Sequence, residues 1–245
     1  MKTLKLAVIL FVFSATGATV FAQNADEIIS KYIKTIGGAD KLNTVKGIKM
    51  EMSVNAQGME IPVEMVQLTG GKMYVKINLQ GKELTQMASD GATIWTTNFM
   101  TMKAEKADAE TTENAKLSNQ DFPDALLDYK TKGYAAEYVG KETKEGTECY
   151  KVKFTKKPVT VNGVKQDDVS YYFFDTENSL PIATETEIKE GPMKGQKSVS
   201  TMSDYQEVDG IFFPFAMNQG GQDLKIKKIT LNPVVEDKAF SFPTE

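Results

Sequence analysis

From Gly47 onward the chain alternates. Ile48, Met50, Met52 and Val54 are interleaved with Lys49, Glu51 and Ser53, and the following runs set Met59, Ile61, Val63 and Met65, then Met73, Val75, Ile77 and Leu79, on every second position. A period of two sends successive side chains to opposite faces of a pleated strand, so these runs read as half-buried strands. Turn signals at Gln57-Gly58, Gly70-Gly71, Gln80-Gly81 and Asp90-Gly91 separate them, glycine supplying the positive φ that tight hairpins need. Runs this short, punctuated this regularly, describe an antiparallel meander in which each strand pairs with the last. Pro62 marks an edge or a bulge within it, since proline donates nothing to a ladder.

Two stretches break the alternation. "NADEIISKYIKTIGG" has Ile28, Ile29, Tyr32, Ile33 and Ile36 on one helical stripe, a capping-box spacing between Asn24 and Glu27, and Gly37 as a left-handed stop. "QDFPDALLDYK" reads as a second, short helix capped by Asp121, with Phe122, Leu126 and Leu127 on its apolar side. Residues 103–119 between them hold almost no large apolar side chain and read as a surface excursion. Strands then resume in "AAEYVGKET", "ECYKVKFT", "VSYYFFDT", "IATETEIK", "KSVSTMSDYQEV", "IFFPFAMN" and "LKIKKITL". The expected fold is mainly antiparallel β (α+β): roughly eleven strands in one wide, curved sheet, with an N-terminal helix and a short second helix across its concave side. Such a sheet encloses an apolar space that side chains need not fill.

The residues that are missing restrict the chemistry. The 245 residues include no histidine, no arginine and a single cysteine. A Ser-His-Asp triad, a Cys-His pair, an imidazole metal site and a thiolate cluster are therefore all excluded, and no metal or cofactor is expected. Carboxylate pairs remain, but the acids fall mostly in Lys-rich alternations such as "KETKEGTE", which suit a solvated strand face. The chain is read as a non-enzyme. The acidic balance and the absence of arginine also argue against nucleic acid. Cys149 alternates with Tyr150, Val152 and Phe154 and is placed on the face opposite the core, as an inert thiol or as a contact for mixed-disulfide or dimer formation.

Residues 1–22 read as a secretory signal peptide: Lys2 and Lys5, the apolar run Leu6–Phe13, then small residues up to a cleavage site after Ala22. Without a cysteine after that site no lipidation is expected, and residues 23–245 form an exported, soluble, monomeric protein carrying 27 Lys against 33 acids.

Several landmarks together resemble the periplasmic lipoprotein carriers and their LolA/LolB-like relatives, the outer-membrane lipoprotein-sorting proteins. "SDGATIWTTN" is similar to that family's strand-turn-strand with its Trp, followed there too by a polar excursion and a short apolar helix ("FPDALLDY" here); "FFDTENSLPIATE", "YQEVDGIFFPFAM" and "DKAFSFPTE" resemble its later hairpins and closing strand. The landmarks run in family order over residues 25–245. The resemblance implies one half-open barrel domain over 23–245 with a lid, located in the periplasm, that takes the acyl chains of a lipid or lipoprotein cargo, with an inner-membrane donor and an outer-membrane acceptor as partners. Carriers of this kind hold the lid shut with an arginine, which this chain lacks.

On this reading the cavity and lid are Met50, Met52, Met65, Met73, Val75, Ile77, Trp95, Leu126, Leu127, Tyr171, Phe173, Phe213 and Phe215. Met59, Met87, Met100, Met102 and Met217 extend the same apolar faces. Methionines either pack a core or line a cavity that accepts many chain conformations. Trp95 either sits at the cavity rim or anchors strand register in a core. Lys156-Lys157 and the "KIKK" of 225–228 either attract anionic head groups or lie on a charged outer face. An interaction module, sensor or assembly factor on the same scaffold is the alternative to a carrier.

Overall fold

The computed structural model describes residues 17–56 and 58–243; the run Leu6–Phe13 lies outside the described residues. Two helices, α1 (Gly17–Thr35) and α2 (Ala39–Thr44), precede six strands: β1 (Gly47–Ala56), β2 (Met59–Leu68), β3 (Lys72–Leu79), β4 (Lys82–Asp90), β5 (Ile94–Asn98) and β6 (Lys103–Lys106). Helix α3 (Ala109–Ser118) leads into β7 (Ala135–Lys144), β8 (Thr147–Val161), β9 (Val164–Asp175), β10 (Pro181–Glu187), β11 (Lys197–Val208), β12 (Ile211–Gln219) and β13 (Gln222–Leu231).

All thirteen strands form one antiparallel sheet in the order β6-β5-β4-β3-β2-β1-β13-β12-β11-β10-β9-β8-β7. Each meander pairs every strand with its sequence neighbour, and the first strand joins the two by pairing with the last, Ile48 opposite Leu231 and Met50 opposite Ile229. The sheet stays open, with β6 and β7 as edges, and residues 107–134 carry the chain from one edge to the other. The fold is thus the single wide antiparallel sheet that the alternation predicts, left open as the resemblance implies, with thirteen strands in place of eleven. Part of the excess is β6, whose "KAEK" lacks the apolar alternation of the other strands.

Three local expectations are corrected. Residues 103–119 are ordered: after β6, Asp108 accepts from Thr111 N–H at 2.7 Å and caps α3. No apolar stripe announces α3, because its polar side chains dock it instead. Asn114 pairs through its amide with the backbone of Thr160, and Glu110 accepts from the N–H groups of Asn162 and Gly163. The ladder between β7 and β8 ends at Thr155, so α3 serves backbone groups that β7 does not reach. Residues 122–134 are a run of turns, with no helix. Asp124 bonds the N–H of Leu126 two residues on, a turn geometry that competes with helix formation. Finally, α1 continues back through Asn24 to Gly17, so Asn24 is not its cap in the whole chain.

One face of the sheet wraps around α1. Ile28, Ile29, Tyr32 and Ile36 of that helix pack with Ile48 and Met52 of β1, Ile226 and Ile229 of β13, and Val152, Phe154 and Phe174 of β8 and β9. The α1–α2 corner enters a gap between β12 and β13, which are laddered only over Ala216–Gln219. There Phe212 N–H bonds Ile36 C=O at 2.9 Å, and Lys41 Nζ reaches Gly210 C=O at 3.2 Å. Pro62 and Pro214 occupy positions laddered on one side only, the β3 ladder starting at Val63 and the β13 ladder at Ala216. Gly37 closes the corner at φ +130, where an added Cβ would lie 2.6 Å from Gly210 C=O. Gly37→Ala is expected to destabilise the protein by about 2 kcal/mol through strain and displacement of this corner, measured by denaturant unfolding; an unchanged midpoint would show that the corner gives way freely.

Candidate functional site

The register turns the alternation into a surface. Met50, Met65, Val75 and Met87 are cross-strand neighbours in one row over β1–β4, and Met52, Val63, Ile77 and Leu84 form the next row. Met73, between Gln67 and Ser89, belongs to a third. This is the face that carries α1: Met52 is buried in its core, and Met50, Val63 and Met65 pack at the border of that core. Outside that core, Met73, Val75, Ile77, Leu84 and Met87 stay half-buried. Phe213, Phe215 and Met217 of β12 join the same core from the other side of β13.

Beneath α1 lies a cavity of about 260 Å³. Its walls include Ile36, Leu42, Val45, Met202, Ile211 and Phe213, with Tyr32, Asp124, Tyr172 and Tyr205 as its polar groups. Tyr32 Oη donates to Asp124 Oδ2 at 2.5 Å, and Leu126 N–H donates to Asp124 Oδ1 at 2.7 Å. Burial raises the Asp124 carboxyl above its ordinary value, against these hydrogen bonds. Burial and the Asp124 charge together push the Tyr32 phenol well above its own.

Leu126 and Leu127, 2% and 4% exposed, are packed in the α1 core. They border a second cleft of about 430 Å³ with Ile29, Ile33 and Ala39. The turn segment that carries them is tied to its surroundings by Tyr–Asp pairs: Tyr32 to Asp124, Tyr129 to Asp26 of α1, and Tyr134 to Asp121 at 2.6 Å. Burial pushes Asp26 up, but hydrogen bonds from Lys130 and Tyr129 outweigh it and hold the carboxyl below its ordinary value. Sequence reasoning missed these pairs. Their only trace is the density of Asp and Tyr in "DFPDALLDYKTKGY".

Three expected wall residues lie on the opposite, convex face. Trp95 stands in a row with Val66, Tyr74 and Ala88, each the cross-strand neighbour of the next. The C-terminal segment covers this row with Phe240 and Phe242. Trp95 Nε1–H donates to Phe240 C=O at 3.3 Å, and its ring meets Phe242 edge-on at 6.1 Å. Of its two readings, the core anchor is the one the register selects: Ile94 and Thr96 share the face of Ser89 and Met87, which leaves Trp95 on the other. Tyr171 and Phe173 alternate with the inward Tyr172 and Phe174 and pack with Cys149 and Ala183 on the outside. Cys149 lies opposite the main core, as expected, but is fully buried in this outer cluster, and burial pushes its thiol up. A contact role for the thiol is thereby corrected. Met59, Met100 and Met102 are 61%, 93% and 50% exposed. Lys225, Lys227 and Lys228 are exposed on the outer face, whereas Lys156 shares the inward side of Val152 and Phe154 and sits part-buried between Asp121 and Asp168 at 3.0 and 3.1 Å.

The same overall fold recurs in solved structures. A LolA superfamily protein from Nitrosomonas europaea superposes with a TM-score of 0.54 at 14% identity, covering 89% of this chain and 97% of its own. The fold is LolA-like. A DUF1329 family protein from Desulfovibrio piger (TM-score 0.53, 15% identity) and a putative outer membrane lipoprotein-sorting protein domain from Vibrio parahaemolyticus (TM-score 0.50, 13% identity) cover the same shares of the two chains. No family model matches the sequence, and comparison with curated protein sequences finds no match. Among the described residues, no three His, Cys, Asp or Glu side chains converge as a metal site, and no helix is long and apolar enough to cross a membrane.

Proposed function

We propose that this LolA-like chain is an exported carrier that binds the acyl chains of a lipid or lipoprotein on the concave side of its sheet and delivers them toward the outer membrane. The observation that carries this reading is the apolar face of β2–β4, where Met73, Val75, Ile77, Leu84 and Met87 lie outside the core around α1 and stay half-buried. Unbranched thioethers adapt to chains of different conformation, and burial of apolar area at about 25 cal/mol per Å² supplies affinity with little directional bonding. The solved structure described as a lipoprotein-sorting domain shares this fold, which supports the reading at the level of architecture. Trp95, Tyr171 and Phe173 have no part in it; Met73, Val75, Ile77, Leu84 and Met87 form the contact surface with Met50 and Met65 at its border, while Met52, Phe213 and Phe215 pack in or against the α1 core. Leu126 and Leu127 belong to a turn segment latched by Tyr–Asp pairs, which take the place of an arginine in holding it on α1.

Native mass spectrometry of the exported protein, purified without detergent, is expected to release an acyl-bearing species on organic extraction. A fluorescent fatty acid should then bind the extracted protein. Met65→Glu, which puts a charge in the middle of the apolar row, should weaken that binding at least about tenfold, or about 1.4 kcal/mol. An apo mass together with no fatty-acid binding would reject the carrier and favour an interaction module.

A further inference from the structure

The sheet parts on either side of the β11/β12 hairpin where it meets the α1–α2 corner. The ladder of β10 with β11 ends at Ala183 and Thr201, although β11 continues to Val208, and that of β12 with β13 reaches only to Ala216. Tyr205 Oη spans the first gap, donating to Pro181 C=O at 2.6 Å. The cavity of about 260 Å³ lies at this parting, with residues of β10, β11 and β12 in its wall, and Phe212, 36% exposed, stands at its rim.

The wall has a particular chemistry. Five of its residues are aromatic: Tyr32, Tyr172, Tyr205, Phe212 and Phe213. Three are prolines, Pro123, Pro181 and Pro214, which have no N–H to offer. Among the described residues Asp124 supplies its one charge, and no lysine lines it. Each Asp124 oxygen accepts one bond, Oδ2 from Tyr32 and Oδ1 from Leu126 N–H, and each has a further lone pair. Lys132 Nζ is turned to the backbone instead, donating to Asp124 C=O at 2.8 Å, so it favours the carboxylate charge without pairing it. Burial and then the Asp124 charge push the Tyr32, Tyr172 and Tyr205 phenols up, which puts the carboxylate within electrostatic reach of all three rings. Tyr172 Oη bonds no other described residue and stays open to the cavity.

A carboxylate taken out of water without a counter-charge is costly, and the faces of aromatic rings are themselves negative. A cation in this space would satisfy both, whereas an anion would meet a like charge and ring faces. A primary ammonium needs several acceptors, but Ile36, Leu42, Val45 and Ile211 make the rest of the wall apolar, which suits methyl groups on the nitrogen. The volume falls just below the range of about 300–1,000 Å³ for pockets of drug-sized ligands, and so fits a small one. We infer that this cavity is a binding site for a methylated ammonium group, held by Asp124 and by the ring faces of Tyr32, Tyr172 and Tyr205. Such a group is carried by free choline-like solutes and by choline head groups of lipids. The inference stands on the cavity and does not require the carrier reading.

The test is calorimetric titration of the exported, processed protein with choline and with 3,3-dimethylbutan-1-ol, its uncharged carbon analogue. Choline should bind saturably, and the analogue about tenfold or more weakly. Asp124→Asn, which keeps an acceptor for Leu126 N–H, should weaken choline binding at least about tenfold. Met202→Lys sets a like charge in the wall without touching the Asp124 hydrogen bonds; it should weaken binding as much with an unchanged melting temperature, so the outcome does not depend on how well Asp124→Asn folds. Met65→Glu, which disables the carrier surface, should bind choline as the unaltered protein does, and so separates the two sites. Displacement of choline by lysophosphatidylcholine but not by lysophosphatidylglycerol, both below their micelle-forming concentrations, would identify a lipid head group as the source; displacement by neither would identify a free solute. No saturable choline binding, equal binding of the uncharged analogue, unaltered binding by both Asp124→Asn and Met202→Lys, or equal displacement by the two lysolipids would each overturn the inference.

Discussion

Above pH 10 the protein is expected to lose stability by at least about 5 kcal/mol per pH unit, an effect carried by four buried tyrosines paired to carboxylates and joined by Tyr172 and Tyr205. Tyr32, Tyr74, Tyr129 and Tyr134 each donate a hydroxyl to a carboxylate, of Asp124, Glu64, Asp26 and Asp121 respectively. Burial first, and the adjoining carboxylate second, push all four phenols well above the ordinary value of 10.0. Below that value every one is protonated in both the folded and the unfolded chain, so pH has no leverage through them. Above it the unfolded chain releases protons that the folded chain retains on these four phenols and on those of Tyr172 and Tyr205, which burial pushes up as well. The folded state then binds more protons, and its stability falls as pH rises, each group contributing about 1.4 kcal/mol per unit. For a total stability of the usual order, about 5–15 kcal/mol, unfolding follows within one to three pH units. Thermal unfolding across this range, with phenolate absorbance recorded in parallel, checks the expectation. The phenolates of these buried groups should appear only together with unfolding, and their titration near pH 10 in an intact fold would contradict the assignment.

The second large effect concerns the outer face. Phe240→Ala is expected to cost about 3–5 kcal/mol, the range for deleting a buried phenyl group, and to lower the melting temperature by about 10 °C. Phe240 is 1% exposed and covers Tyr74 at a ring distance of 5.6 Å, and its C=O holds the Trp95 indole. Loosening the C-terminal segment uncovers the only tryptophan, so its emission should shift to longer wavelength even before unfolding. Fatty-acid binding to the folded variant should be unchanged, since Trp95 faces away from the concave rows. A variant that lost ligand binding with little loss of stability would return Trp95 to the cavity.

Much of the architecture was legible in the residues because period-two alternation is dictated by the pleat and needs no tertiary information. Ile48, Met50 and Met52, and Met73, Val75 and Ile77, lie on one face as their spacing requires, and the glycine turns fall between strands. The stripe on α1 was equally clear. Elements without such a stripe were not: β6 and α3 are placed by backbone pairing and by Asn114 and Glu110, which bear no periodic signature. Residues 122–134 carry helix-like apolar spacing, yet Asp124 fixes a turn that the spacing cannot reveal.

By itself the sequence determined the exclusion of imidazole and thiolate chemistry, the antiparallel meanders, and which apolar residues share a face within each strand. It did not determine which face is inside. Phe173 and Phe174 are neighbours, equally apolar and both fully buried, one under α1 and the other in the outer cluster around Cys149. Trp95 is buried on the convex side because residues 235–243 fold back over it, more than a hundred residues away in the chain. A sheet whose two faces are both partly covered gives apolar side chains two places to go. Only the docking of α1 on one face and the C-terminal segment on the other decides between them.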